Sequence, residues 1–182
     1  IMRNKTLLLE KGAKFQWKLL EKSLNRNFGV TAVAYHSDGG RRTTDPVGLV
    51  NDICRLIKYH PKSEDRICRD ILRIMNHEAR AKRKYVAEEC AAGMYKMVVP
   101  IMIEGRIEGF VSICGRPYIS SDRVYTQYIH SITGEKKEKI DRLLQTLNPI
   151  RPREIKAILL AIVNPGSAMI DRRLGMKIAG SV

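Results

Sequence analysis

The fold of this chain is decided by residues 96–114, which read KMVVPIMIEGRIEGFVSIC. Two apolar runs flank Glu104-Gly105, a pair typical of a tight turn, so the stretch predicts a β-hairpin. Side chains alternate across a strand. Phe110, Ser112 and Cys114 are therefore expected to share one face of the second strand.

Other strands are expected on either side of this hairpin. Runs rich in β-branched and aromatic residues predict strands at 30–36, 41–44 and 85–88. Inside the hairpin, Pro100 cannot donate a hydrogen bond to a neighbouring strand, so it predicts an edge position or a bulge.

Helical periodicity surrounds the strands. It predicts helices over 14–27, from Asp45-Pro46 to His60, from Ser63 onward, from Ser120 to Gly134, over 136–147 and over 152–163. Asp45 and Ser63 are the expected N-caps of the second and third helices. Antiparallel hairpins with helices segregated from them predict an α+β fold, a central antiparallel sheet of about five strands with flanking helices.

The length of 182 residues fits one domain. We expect a folded domain over 14–163, preceded by a segment over 1–13 and followed by a tail or docking segment over 164–182. No run of about 18 apolar residues predicts a membrane span, and the first residues lack an apolar signal core. Four cysteines without a signal peptide indicate a cytoplasmic protein whose thiols are free or bound to metal.

The chain is strongly basic, with 33 Lys and Arg against 19 Asp and Glu and a net charge of +14. Such a charge forms either a solvated surface or a face for nucleic acid. The basic residues are spread along the chain, and the densest run, 80–84, lies where cations favour a helix dipole. No zinc-finger spacing or aromatic RNA-binding motif accompanies them. A basic nucleic-acid-binding protein with structural cysteines is the alternative that stays open.

The four cysteines are Cys54, Cys68, Cys90 and Cys114, and no two of them form a C-x-x-C pair. This spacing excludes knuckle-type zinc sites, but thiolates from distant elements can still converge in space. Soft thiolates would suit zinc or an iron–sulfur cluster. The competing interpretation is that each thiol packs in the core as a small hydrophobic group.

Motifs for catalysis are missing from the sequence. There is no G-x-S-x-G, no H-E-x-x-H and no phosphate-binding loop, and the four histidines are scattered. Because no nucleophile–base pair can be named, we do not expect an enzyme. A third interpretation makes Cys90 a thiolate nucleophile.

Several short segments together resemble the PocR sensory-domain family. They are ICRLI at 53–57, RIC at 66–68, ECAAGM at 89–94 and VPI at 99–101, with Glu104-Gly105 and Gly109. The similarity covers roughly residues 14–163. It implies a variant of the PAS fold, acting as the input module of bacterial or archaeal transcription regulators and signalling proteins. Simple hydrocarbon derivatives are the ligands proposed for the family.

The resemblance also assigns the cysteines. By position, Cys54, Cys68 and Cys90 correspond to the cysteines of the family, and Cys114 resembles one branch of it. Two lie on the apolar faces of consecutive helices, one in a small-residue loop and one at the end of the hairpin. If they converge, they predict a thiolate cage around zinc or an iron–sulfur cluster. A weaker version adds Met94, Tyr95 and Phe110 and makes the thiols part of an organic-ligand pocket.

The expected partners follow from the same resemblance. Sensor domains of this type commonly pair through flanking helices, so the helices at 14–27 and 152–163 are candidates for a homodimer interface. We expect a small-molecule ligand and no membrane. No DNA-binding or kinase module is visible, which leaves the output domain open.

Overall fold

A four-stranded antiparallel sheet forms the centre of the fold. The computed structural model describes residues 13–43, 48–103, 105–118 and 125–163. The strands are β1 (Thr31–His36), β2 (Val86–Glu89), β3 (Met94–Ile103) and β4 (Arg106–Pro117), in the order β1-β4-β3-β2. β3 and β4 form the expected hairpin, and the strands expected near 30–36 and 85–88 are present.

The number of strands differs from the expectation of about five, since the described residues form four. Of the strand expected at 41–44, Arg41 makes only an isolated bridge to Tyr35, and residue 44 lies outside the described residues. The outer edge of β1 is already occupied. The buried Glu21 carboxylate accepts from the Ala34 backbone N–H at 2.7 Å, so that donor is not free for a further strand.

β3 is an inner strand although it contains Pro100. β2 pairs only with residues 95–98, so Pro100 lies beyond the end of β2, opposite Phe110 of β4. The register also shifts immediately after Ile101. The local edge and the irregularity expected around this proline are both found.

A second register shift lies in the hairpin, just after Tyr95. Here Cys114 and Gly115 of β4 together stand opposite the single residue Lys96 of β3. A bulge of this kind bends the strand and redirects its side chains. Gly115 has a φ of +103°, a conformation that side chains disfavour and glycine adopts readily.

Helices cover both faces of the sheet. They are α1 (Ala13–Phe28), α2 (Asp52–Tyr59), α3 (Pro61–Ser63), a π-helical segment (Glu64–Arg69), α4 (Asp70–Lys82), α5 (Tyr125–Thr133), α6 (Lys137–Gln145) and α7 (Pro152–Val163). The helices expected at 14–27, 136–147 and 152–163 are confirmed. The helix predicted from Ser120 corresponds to α5, and its predicted start lies outside the described residues, as do residues 1–12 and 164–182.

Two predicted helix starts are wrong. Residues 48–51 are not helical, and α2 begins at Asp52 with Asn51 as its N-cap, whereas Asp45 lies outside the described residues. Ser63 does not cap a helix, because the chain is already helical from Pro61 and the buried Ser63 hydroxyl has no hydrogen-bond partner among the described residues. Asn51 satisfies the first turn of α2, whereas no side chain caps the helical turn that begins at Pro61.

The helices divide the apolar core into three clusters. α1 and α7 cover one face of the sheet through Trp17, Leu20 and Ile158. α4 covers the other face, and α2, α5 and α6 enclose a third cluster beside the β2–β3 turn. No helix among the described residues is long and apolar enough to cross a membrane.

α1 and α7 are the two helices that were expected to form a homodimer interface. Their apolar faces pack against the core of their own chain. α1 and α7 contact each other and bury most of their large side chains in one cluster. On α7, Leu160 and Val163 stay exposed, at 46% and 58%. Homodimerisation through these helices stays a prediction.

Candidate functional site

The four cysteines lie on four different elements around one corner of the sheet. Cys54 belongs to α2, Cys68 to the π-helical segment, Cys90 to the β2–β3 turn and Cys114 to the bulge of β4. We call these four residues the cysteine cluster. Hydrogen bonds and the local backbone geometry position these residues.

Asn51 positions Cys54 relative to the bulge. Its side-chain oxygen accepts from the Cys54 backbone N–H at 2.7 Å and thereby caps α2. Its side-chain nitrogen donates to the Gly115 carbonyl. One asparagine therefore joins the start of α2 to the residue that follows Cys114.

Cys68 lies in the wider turn of the π-helical segment. Such turns are rare and are frequently found at functional sites, because the looser ring changes the direction of the backbone groups. The Cys68 carbonyl accepts a hydrogen bond from Lys96 Nζ at 3.3 Å. The segment is therefore tied to β3 on the same face as the bulge.

Cys90 begins the tight turn between β2 and β3. Its N–H donates to the Met94 carbonyl at 2.9 Å, and its carbonyl accepts from the Gly93 N–H at 2.8 Å. Gly93 has a φ of +79°, and a Cβ there would collide with the Tyr125 ring of α5. The small residues of this turn therefore let α5 close over the buried Cys90.

The ionisation of Cys54, Cys68 and Cys90 is affected by their neighbours in the cluster. Burial raises the pKa of the Cys54 thiol well above its usual 9.0, and repulsion from the thiolates of Cys114, Cys90 and Cys68 raises it further. Burial raises the pKa of Cys68 to about 11, opposed by the Lys96 charge and assisted by Cys114 and Cys90. Burial also raises the pKa of Cys90, with Cys114 adding to it. Every pair in the cluster is thus close enough for its charges to interact.

The raised pKa of Cys68 predicts a loss of stability at alkaline pH. In the unfolded chain the thiol ionises around 9.0, whereas the folded chain keeps its proton up to about 11. Between these values the folded state binds more protons, so the free energy of unfolding of the metal-free protein falls as the pH rises. Urea unfolding at about pH 8 and about pH 10 measures this fall. Cys68→Ala should make it smaller, and an equal fall in that variant would contradict the assignment.

The thiols do not stand in the arrangement of a closed single-ion site. Among the described residues, no three His, Cys, Asp or Glu side chains are placed so that they could hold a metal ion. Four sulfurs on one zinc ion lie about 4 Å apart, whereas an iron–sulfur cluster joins sulfurs that are farther apart. The four cysteine thiolates are soft ligands. To bind a single ion, their sulfur atoms would have to move closer to one another.

The other predicted site residues separate into two groups. Met94 is buried beside Cys90 in the cluster enclosed by α2, α5 and α6. Tyr95 points to the opposite face of the sheet and stacks on Tyr118 at 5.7 Å. Phe110 shares a face with Cys114 but packs against α4, with the Arg80 guanidinium 5.3 Å from its ring. The organic-ligand pocket expected from Met94, Tyr95, Phe110 and the thiols is therefore not formed by these residues together.

Lys96 is the residue that sequence reasoning missed. It is only 5% exposed and points to the face that carries the cluster. The signal was present as a single charged residue in an otherwise apolar strand, between Tyr95 and Met97. A buried charge is costly unless it is paired, so such a residue indicates a local purpose.

A polar cavity of about 920 Å³ opens next to the cluster. Asn51 and Gly115 line it and connect it to the cluster, and none of the seven predicted site residues does. Arg116 also lines the cavity, but it is engaged with the Glu154 carboxylate at 2.7 Å and with three backbone carbonyls. The cavity is therefore a neighbour of the thiols and is separate from them.

Comparison with known proteins identifies one match. The family described as the sensory domain found in PocR matches residues 16–171. No curated protein and no solved structure matches the chain. The match covers the sheet, the whole cysteine cluster and the described helices except the first three residues of α1.

Proposed function

The chain belongs to the PocR sensory-domain family, and from that premise we propose that it is the input module of a prokaryotic signalling or transcription-regulatory protein whose sensing element is the cysteine cluster. In this proposal Cys54, Cys68, Cys90 and Cys114 hold a soft metal centre, zinc or an iron–sulfur cluster. The proposal keeps the PAS-like arrangement that the resemblance implies, of which the described residues give the α+β class and a four-stranded antiparallel sheet. The function is binding and signalling, without a catalytic step.

The observation that carries the proposal is that Cys54 and Cys68 pack on the same apolar cluster as the buried Cys90, while Asn51 joins the first turn of α2 to the residue after Cys114. The four cysteines come from elements that are distant in sequence, and chance burial of core cysteines does not require this arrangement. Thiolates are the ligands that zinc and iron–sulfur clusters prefer. No three of the described donors suit a single ion as they stand, so within this proposal an iron–sulfur cluster is preferred to a zinc ion.

The residues around the cluster would control access and response. Burial of Cys90 and Met94 excludes water from the inner side. Metal binding releases the thiol protons that burial otherwise retains, so occupancy should increase with pH below the thiol pKa values. When bound, an iron–sulfur cluster supplies redox or oxygen sensitivity, and zinc supplies a structural link that thiol oxidation breaks. Loss of the centre would loosen α2 and the π-helical segment from the sheet.

Metal and sulfide analysis of protein purified without air tests the proposal. We expect the wild-type chain to carry metal and each single Cys→Ser variant to lose at least about tenfold in occupancy, since a missing ligand opens the site. Ser112→Ala is the matched control. Ser112 is buried on the same strand face as Cys114, and its variant should keep the metal.

A stability measurement distinguishes the loss of a metal ligand from misfolding of the variant. A chelator should lower the melting temperature of wild-type protein and of Ser112→Ala, because a ligand bound to the folded state stabilises it. It should have no effect on folded Cys90→Ser. Wild-type protein without metal, with all four thiols free to alkylation after unfolding, would overturn the metal centre.

A second candidate is favoured by the cavity beside the cluster. Its volume of about 920 Å³ lies at the upper end of the range of small-molecule sites, and Asn51 connects it to both Cys54 and Gly115. A small polar organic ligand in the cavity would then be sensed through the same asparagine. This candidate becomes the leading one if the anaerobic preparation contains no metal.

A further inference from the structure

The helices α1 and α7 form one outer layer of the fold. They contact each other and cover the same face of the sheet. Arg116 Nη1 donates to the Phe28 carbonyl at the end of α1 and to the Glu154 carboxylate in the first turn of α7, both at 2.7 Å. The end of α1 therefore lies beside the start of α7, so the two helices run in opposite directions.

The outward side of this layer is basic. On α1, Lys22 and Arg26 are exposed and lie on the opposite side of the helix from its buried residues. On α7, Arg153 and Lys156 are exposed in the same way. None of these four cations forms an ion pair with a described residue. We call the α1–α7 surface the exposed residues Lys22, Arg26, Arg153, Lys156, Leu160 and Val163.

The carboxylates of the two helices do not neutralise these cations. α1 and α7 contain one carboxylate each. Glu21 is fully buried, and Glu154 is engaged with Arg116 at 2.7 Å. The terminal segments 1–12 and 164–182 are themselves basic, since each contains three Lys or Arg and one Asp or Glu. Complementary negative charge therefore has to come from another molecule.

Two aliphatic side chains share the outward side of α7 with the cations. Leu160 and Val163 are 46% and 58% exposed, and they continue the line of Arg153 and Lys156 at helical spacing. A basic surface that only keeps a protein in solution does not require exposed aliphatic residues. An interface, in contrast, combines apolar contacts with polar and charged ones around them. The composition of the α1–α7 surface is therefore that of a docking surface.

Charge and residue type decide between the occupants. A second copy would bring its own four cations to the interface, and like charges oppose association. A nucleic-acid backbone would contact the cations but would leave Leu160 and Val163 exposed. A lipid surface is usually met by Trp or Phe side chains, whereas the single Trp of the chain, Trp17, is buried under this layer. A third helix can pack its side chains into the grooves of two neighbouring helices.

We propose that the α1–α7 surface is the docking site for an acidic amphipathic helix of the module that receives the signal. Its apolar residues would cover Leu160 and Val163, and its carboxylates would lie opposite the four cations. Recognition of an amphipathic helix by a complementary surface is a common mode of protein association. The docking site is distinct from the cysteine cluster and requires neither metal nor a small ligand.

A synthetic peptide of about 20 residues, with leucines along one side of the helix and glutamates beside them, is the probe. Fluorescence anisotropy of the labelled peptide should show saturable binding to the wild-type chain that weakens as salt is added. Arg153→Glu combined with Lys156→Glu should weaken binding at least about tenfold, because two attractions become repulsions. Leu160→Gln should weaken it about three- to tenfold by removing apolar contact. A peptide with glutamine in place of glutamate should also bind at least about tenfold more weakly.

Lys136→Glu combined with Lys137→Glu is the matched control. Both cations are exposed at the start of α6, which packs on a different apolar cluster. This variant should change peptide affinity by less than about threefold, because it reverses two charges outside the docking surface. Melting temperatures of all the variants should stay within a few degrees of the wild-type value, since the substituted residues are exposed.

Several results would overturn the docking site. These are equal weakening by the two double variants, no binding of the peptide to wild-type protein with a Kd below about 1 mM, or unchanged affinity in Leu160→Gln. Tighter binding to a DNA duplex or to phosphatidylserine vesicles, lost when Arg153 and Lys156 are reversed, would assign the surface to a nucleic acid or to a membrane. A wild-type dimer that Leu160→Gln converts to a monomer would assign it to a second copy.

Discussion

A Gly115→Ala variant is expected to lose about 2–6 kcal/mol of stability. Gly115 has a φ of +103°, and a residue with a side chain is strained there by about 1–3 kcal/mol. The added Cβ would also lie 2.5 Å from Val50 Cγ2 and 3.3 Å from Thr31 Oγ1. Overpacking of this kind costs about 1–3 kcal/mol more.

Gly39→Ala separates the two contributions. Gly39 has a similar φ of +92°, but a Cβ there meets nothing within 4 Å. Urea unfolding should therefore show the backbone cost alone in Gly39→Ala and a larger loss in Gly115→Ala. Equal losses would mean that Val50 is not packed on the bulge. Because Val50 leads into α2, we also expect Gly115→Ala to weaken metal binding, and Gly39→Ala to leave it unchanged.

Asn51→Ala is expected to cost about 2–4 kcal/mol and to disrupt the cysteine cluster. The variant loses the N-cap of α2, worth about 1 kcal/mol. It also leaves the partly buried Gly115 carbonyl without its donor, a cost of about 1–3 kcal/mol. Both losses release the first turn of α2, which carries Cys54, so metal occupancy should fall with stability.

Asn51→Asp separates the contribution of the N-cap from that of the hydrogen bond to Gly115. Aspartate keeps the oxygen that accepts from the Cys54 N–H, but it cannot donate to Gly115. Chemical unfolding should therefore place it between wild type and Asn51→Ala. Asn27→Ala is the control, since the exposed Asn27 side chain donates to the Ser23 hydroxyl within the same helix and should change stability by less than about 0.5 kcal/mol. If Asn51→Ala proves as mild as this control, the link between α2 and the bulge is wrong.

The hairpin illustrates what local sequence can predict. Alternation along β4 correctly placed Phe110, Ser112 and Cys114 on one face, and Pro100 correctly indicated a local edge. The same alternation puts Tyr95 on the opposite face from its neighbours Met94 and Lys96, as the structure has it, so Tyr95 does not join Met94 beside the thiols. Period-two patterns assign relative faces within a strand, but the face that meets a particular helix is decided by packing.

The positions of the helix N-termini were also not predictable from local sequence alone. Asp45 and Ser63 are good caps by residue type, yet Asn51 caps α2, and Ser63 lies inside a helical turn. A cap is selected by which residue can satisfy the first N–H groups while the apolar face packs, and several candidates compete along the chain. The fifth strand failed for a related reason, since Glu21 from α1 takes a β1 donor that pairing would need.

The sequence by itself determined the family, the α+β class, the central hairpin and the four cysteines, because these depend on residue type, periodicity and local turn chemistry. Only the tertiary structure decided that Cys54, Cys68 and Cys90 pack on one apolar cluster, that Asn51 joins α2 to the bulge and that Lys96 is buried on β3. Those features arise from contacts between residues far apart in the chain. Such contacts form only when the burial of whole faces offsets the entropy lost on ordering them, and no local pattern encodes that balance.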